Sequence, residues 1–270
     1  MGSAGVQPEV RQSGPWWGVT IDQRWDLKVG PSHNVPTPPR RRRWRRRLAA
    51  VVVVPVVLSV LGLAVAWPLT PSVSDAQHRV TALLAAHHAT PLDALPFPDR
   101  VGEAVIATED SRFPHHWGVD PLGVLRAALS VSSTDQGGAT LDQQLAKLLW
   151  TGNGGLLVKA EQVVLSAKLE QAYSKSTILR LYLQAAYFGH GYYGLVSAAQ
   201  GYFGRSPSDL SWGQASLLAG LVQAPSAYDP YRHLERAKLR QHHVLRRLVA
   251  THVLTQTEAN AALTSDLRLR

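Results

Sequence analysis

The chain has 270 residues, a formal net charge of +9 and no cysteine. That length suits one ordinary domain with attachments, and the missing cysteines exclude a disulfide framework and a cysteine–zinc site. Residues 1–47 hold ten Lys/Arg against Glu9, Asp22 and Asp26, whereas residues 70–270 carry 18 basic and 16 acidic side chains. The excess charge is thus a property of the tail, and a nucleic-acid partner is not expected for the nearly neutral remainder.

Residues 1–39 are rich in Pro, Gly and polar side chains and show no period, so residues 1–47 read as a disordered basic tail. The tail ends in Arg40–Arg47, seven arginines around Trp44, and Leu48–Trp67 follows as 20 uncharged, mainly Val, Leu and Ala residues. Such a run crosses a hydrocarbon core of about 30 Å as one helix. The arginines stay on the cytoplasmic side, which predicts a single-pass membrane helix over 48–69 and an extracytoplasmic domain over 70–270. A cleaved signal is the weaker alternative. The apolar run is too long for its core, and no small-x-small site follows Trp67-Pro68.

Beyond Ser72 the pattern is helical. Helical composition marks Lys159–Gln171 and Ser176–Tyr187. Ser211 and Gln214 form a capping box that opens a helix over Trp212–Gln223, closed by Pro225, and Thr255 with Glu258 opens a last short one. Glu235–Thr251 repeats apolar residues at Leu245, Leu248 and Val249. No alternating strands and no internal repeat appear, so the fold class is all-α or mostly α.

Several segments carry residues suited to chemistry. Glu109-Asp110 follows the apolar Ala104–Ala107, and a carboxylate beside apolar residues tends to a raised pKa, which suits acid–base work. A surface pair at a helix end is the plain alternative. Gly137-Gly138-Ala139-Thr140 leads into a polar helix start, either an anion-binding turn or an ordinary N-cap. Gly189-His-Gly-Tyr-Tyr-Gly194 matches a dinucleotide pattern but follows a helix rather than a strand, so it reads as a loop whose glycines permit unusual dihedrals. In the pairs His87-His88, His115-His116 and His242-His243, neighbours on a helix point about 100° apart, so no pair is a chelate and no histidine metal site is expected.

Together these segments resemble glycosyltransferase family 51, the peptidoglycan transglycosylases. Glu109-Asp110-x-x-Phe113-x-x-His116-x-Gly118, followed by Arg126-Ala127, resembles the first family motif. Gly137–Lys147 resembles the second, usually GGSTITQQLAK. Lys175-x-x-Ile178-Leu179-x-x-Tyr182-Leu183-Gln184 resembles the fourth, and Arg240-x-x-x-Val244-Leu245 the fifth. The likeness covers about residues 101–250. Ala139 replaces the usual Ser, Asp142 the usual Thr and Gln184 the usual Asn. The third motif, R-K-x-x-E, aligns with Val158-Lys159-Ala160-Glu161-Gln162, so its Arg and second Glu are replaced.

The resemblance implies a mostly α, lysozyme-like fold and a polymerase of lipid II, the undecaprenyl-pyrophosphate-linked disaccharide-pentapeptide, that makes β-1,4-linked glycan with inversion and releases undecaprenyl pyrophosphate. It implies a catalytic set of Glu109, Asp110, Lys147 and Lys159. Substrate contacts would come from Phe113, His116, Gly138, Thr140, Gln143, Gln144, Gln162, Lys175, Tyr182, Gln184 and Arg240. A divalent cation, Mg or Mn, would assist, with no organic cofactor. Lipid II, the growing strand, the membrane and other cell-wall synthesis proteins are the implied partners. Because the chain ends soon after the fifth motif, a monofunctional polymerase is expected. Val158 and Gln162 motivate a second reading, a catalytically impaired lipid II-binding or scaffold protein. A glycan-cutting hydrolase is the third, disfavoured because hydrolysis commonly needs a second carboxylate to activate water. Leu145–Trp150 with Leu156 and Leu157 reads either as core or as a segment entering the membrane interface.

Overall fold

A computed structural model describes residues 53, 54, 57, 61–92, 100–123 and 139–270. Most of residues 48–60, the basic tail, Arg126-Ala127 and Gly137-Gly138 lie outside the described residues. The compact unit is Val56–Arg270, and of the separate unit Met1–Pro55 only residues 53 and 54 are described.

The described part is mostly α, as the sequence pattern predicts. Residues 61–69 are helical and expose Leu61, Val65 and Leu69. Among the described residues no helix is long and apolar enough to cross a membrane. The end of this helix is tied to the domain. Lys168 Nζ donates to the carbonyls of Thr70 (2.8 Å) and Pro71 (3.0 Å) and stands 5.5 Å from the ring centre of Trp67.

The domain then follows as α1 (Ala76–Ala86), α2 (Arg100–Glu109), α3 (Leu141–Ala146), α4 (Leu156–Ala172), α5 (Lys175–Ala185), α6 (Leu195–Phe203), α7 (Trp212–Leu221), α8 (Leu234–Ala250) and α9 (Gln256–Thr264). Short 3-10 turns at Phe113–His115 and Pro207–Asp209 and a wide helical turn at Lys147–Thr151 complete the list. The capping boxes form as the spacing predicts. Ser211 accepts from the Gln214 N–H and Thr255 from the Glu258 N–H, each satisfying an otherwise orphaned donor. Helix α7 ends at Leu221, two residues before the expected Gln223.

Two packed groups of helices frame the interior. In one, α2, α7 and α8 pack on one another and α9 covers α7 and α8. In the other, α3 packs on α4 and α5, and α1 lies on α5. Every residue from Gly213 to Leu221 is buried, so α7 is central and shows no polar face. By contrast, α8 is amphipathic, burying Ala237, Val244, Leu245 and Leu248 and exposing Arg236 and Arg246. The loop 187–194 is a tight reversal closed by a bridge between Tyr187 and Tyr193, with positive φ at Gly189, His190, Gly191 and Gly194. This agrees with the loop reading and leaves no dinucleotide turn.

Leu145 is fully buried and Leu149 and Trp150 pack against the core, whereas Leu156 and Leu157 are 83% and 86% exposed. The core reading therefore holds for Leu145, Leu149 and Trp150 and not for Leu156 and Leu157.

Gly118 sets the spacing between the start of the site and α4. Its φ is +80°, and a Cβ there would stand 2.7 Å from the backbone carbonyl of Ser166. Its own carbonyl accepts from Thr140 Oγ1 at 2.7 Å, which links the segment after α2 to the N-cap of α3. Replacing Gly118 by Ala adds both a clash with α4 and an unfavourable dihedral. We expect Gly118→Ala to lower stability by about 1–3 kcal/mol, seen as a lower urea midpoint at unchanged slope.

Candidate active site

Helix α2 carries Glu109 at its last position, where the preceding Val101, Ala104, Val105 and Ala107 are buried. The carboxylate is thus drawn inward by the helix's own apolar face. Arg240 of α8 donates from Nη2 to Glu109 Oε1 at 3.1 Å, and Gln144 of α3 donates from Nε2 to Oε2 at 3.3 Å. Tyr182 of α5 donates to Gln144 Oε1 at 2.9 Å, fixing which way that amide faces. The side chains of Glu109 and Arg240 are only 12% and 9% exposed. Burial raises the Glu109 pKa, Arg240 and Gln144 oppose the rise, and the neighbouring Asp110 adds to it. Burial also pushes the Tyr182 phenol well up, helped by the charge on Glu109, so it is a neutral donor. The result is a carboxylate poised for proton transfer at the meeting point of four helices.

Asp110 turns the other way. Its Oδ2 accepts from the Leu141 N–H at 3.0 Å and lies 2.8 Å from His116 Nε2. It therefore pins the first turn of α3, the helix that presents Gln144. Thr140 caps that helix, accepting from the Gln143 N–H at 3.2 Å while Gln143 Oε1 accepts from the Thr140 N–H at 3.3 Å. Of the adjacent glutamines, Gln143 shapes the helix start and Gln144 reaches Glu109. Phe113 is buried, with Lys175 Nζ 4.4 Å from its ring centre, and Lys175 forms an ion pair with Glu170.

Other predicted site residues make no hydrogen bond to Glu109 among the described residues. Gln184 is buried and accepts from the Leu92 N–H at 3.2 Å, so it anchors the segment after α1. Gln162 donates from Nε2 to Thr151 Oγ1 at 2.9 Å and to the Gly152 carbonyl at 3.2 Å, clamping the end of the wide turn. Val158 packs over Gly154, where an added Cβ would come within 2.4 Å of it. Lys147 and Lys159 are exposed, one opening the wide turn and the other on α4. Gly138 lies outside the described residues.

The structure also assembles a cluster that residue types alone did not reveal. Asp110, His116 and Asp142 are all buried, and one ligand atom from each lies within 4.8 Å of the others. His116 Nδ1 is 3.9 Å from Asp142 Oδ2, and among the described residues that nitrogen has no hydrogen-bond partner. Two carboxylates and an imidazole suit a divalent cation, so this set fits the cation that the resemblance implies. Adjacent histidines do not chelate, but His116 meets acids from distant positions. Asp142 is fully buried, so a cation there would brace the start of α3 rather than touch substrate.

Without a cation, Asp142 has another solution. Burial, and next the Glu170 carboxyl beside it, push its pKa up to about 8. The folded chain then holds a proton that the unfolded chain, with a carboxyl near 4, releases at neutral pH. Unfolding therefore releases a proton between about pH 4 and 8, and stability rises as pH falls through that window. With metal removed by a chelator, thermal unfolding of the unaltered chain should shift upward from pH 7 to pH 5 relative to Asp142→Asn. Parallel pH dependence of the two proteins would refute the protonated pair.

The family model described as transglycosylase matches residues 77–249, and the chain belongs to that family. Over 175 residues it is 44% identical to penicillin-binding protein 1A of Neisseria gonorrhoeae, covering 63% of this chain and 22% of that protein. Over 176 residues it is 42% identical to penicillin-binding protein 1A of Vibrio cholerae, covering 64% and 21%. A crystal structure of penicillin-binding protein 1A from Haemophilus influenzae aligns with a TM-score of 0.41 at 24% identity, covering 67% of this chain and 18% of that one. The chain spans about a fifth of the length of the curated relatives it matches.

Proposed function

We propose that the chain polymerises lipid II into β-1,4-linked glycan. The observation that carries this reading is Glu109, nearly buried yet held by Arg240 and Gln144. A sugar hydroxyl of the acceptor attacks the donor's anomeric carbon. Its proton passes to Glu109, the bond to the lipid diphosphate breaks, and the anomeric centre inverts. Exposed Lys147 and Lys159 offset charge growing on the leaving diphosphate. Transfer is favoured over hydrolysis because Asp110, the adjacent carboxylate, is occupied by the Leu141 N–H and His116 and is 4% exposed, so it does not activate water.

Glu109→Gln keeps the size and removes the base. Polymerisation of labelled lipid II should fall at least about 10²-fold while lipid II binding survives. Near-normal polymer from this variant would end the mechanism.

The scaffold reading draws on the third motif. Gln162 spends its amide donors on the wide turn, and Val158 packs on Gly154, so these two positions of the motif serve local packing while Lys159 keeps its charge. Product sizing with the unaltered chain separates the readings, since a scaffold binds lipid II and yields no polymer.

The lipid substrate gives the arginine-flanked apolar run its purpose, because a tethered enzyme searches a surface rather than a volume. We infer an N-terminus in the cytoplasm and the domain outside. Lys168 pins the chain where residues 61–69 enter the domain, which supports a short link between the apolar run and the domain. Reporter fusions at Pro39 should behave as cytoplasmic and fusions at Pro71 as exported. The reverse pattern would remove the anchor.

A further inference from the structure

The outer face of α8 is built for an anion. Arg236, Leu239, Arg240, His243 and Arg246 recur at helical spacing and, with Tyr228, line a cavity of about 340 Å³. Three guanidinium groups and an imidazole converge there, and no carboxylate is among the lining residues. Among the described residues, Arg236 and Arg246 form no salt bridge. The Arg240 charge is balanced by Glu109, but its Nε is buried without a hydrogen-bond partner. A surface that gathers this much like charge in one concavity is stabilised by an oxyanion, and arginine forks bind carboxylate or phosphate two donors at a time. Leu239 and the Tyr228 ring add apolar wall, and the volume exceeds what a lone inorganic anion fills.

Arg240 belongs both to this cavity and to the grip on Glu109. A ligand seated here therefore sits one side chain away from the catalytic carboxylate. We propose that the cavity binds an oxyanion of the glycosyl substrate, and that the oxyanion is a carboxylate of the peptide carried by the sugar. This rests on the lipid II reading above. The peptide is favoured over the diphosphate because exposed Lys147 and Lys159, on the wide turn and α4, are available to the diphosphate, while this basic face belongs to α8. Occupancy would also hold Arg240 in place, coupling recognition of the peptide to the position of Glu109.

The test uses the full chain and the double variant Arg236→Gln/Arg246→Gln, both exposed positions outside the grip on Glu109. Circular dichroism and the melting midpoint confirm that the variant folds. With lipid II, the variant should show a KM at least about tenfold higher at nearly unchanged kcat, the loss expected from one charge-assisted contact. With lipid II whose peptide carboxylates are converted to amides, the two proteins should have the same KM. An equal rise in KM for both substrates would assign the cavity to the diphosphate and overturn the peptide assignment. No change with either substrate would overturn the site altogether. Calorimetry with the lipid-free disaccharide-peptide separates this from the reading beneath it. Binding that weakens in the double variant supports the cavity even if the chain makes no polymer, and binding that is equal in both proteins refutes it.

Discussion

The structure depends on holding one carboxylate, Glu109, away from water without leaving it unpaired. Burying an ionised carboxyl costs several kcal/mol unless donors replace its hydration. Here α8 supplies Arg240 and α3 supplies Gln144, and α5 supplies Tyr182 to fix the amide. Four helices must therefore meet at one point, and the packing of α8 and α7 on α2, and of α3 on α5, brings them there. Gly220 contributes to that packing, since a Cβ on it would stand 2.9 Å from Arg240 Cγ. The balance between burial and Arg240 leaves Glu109 raised above its ordinary value, which is the condition a base needs near neutral pH.

Behind that carboxylate lies a second electrostatic problem. Asp110, Asp142 and Glu170 bring three acids to one interior, against His116 and Lys175. Asp142 stands where the resembled motif usually has Thr, and it adds a fully buried acid to this interior. A proton or a divalent cation answers the charge, and either one bears on the start of α3 and so on Gln144. The cluster acts on the site through the helix that carries Gln144.

The departures in the third motif have a similar local logic. Val158 and Gln162 replace charged residues, and each is absorbed into the packing of the wide turn Lys147–Thr151 against α4. A glutamate at 162 would present an acceptor to the Gly152 carbonyl, which is itself an acceptor, so the amide is the better fit to this turn. Lys159 keeps a charge in that motif, and on α8 Arg236, Arg240 and Arg246 share one cavity.

The sequence alone marked the helices seen as α4, α5, α7, α8 and α9 and a helix start at α3, but not α1, α2 or α6. Capping boxes at Ser211 and Thr255 marked helix starts because the reciprocal bonds lie within four residues, and the apolar repeat on α8 marked its buried face for the same local reason. Motif order identified Glu109, Gln144, Tyr182 and Arg240 as members of one site. What each side chain does was decided by partners far along the chain. Arg240 meets Glu109 across 131 positions, and Gln184 meets Leu92 across 92. Asp110, Gln143 and Gln162 likewise became an anchor, a cap and a clamp once their hydrogen bonds were known. Local pattern fixes periodicity and termini because those depend on neighbours in sequence. The direction of a polar side chain depends on which donor or acceptor the tertiary packing brings within about 3 Å, and no local pattern carries that.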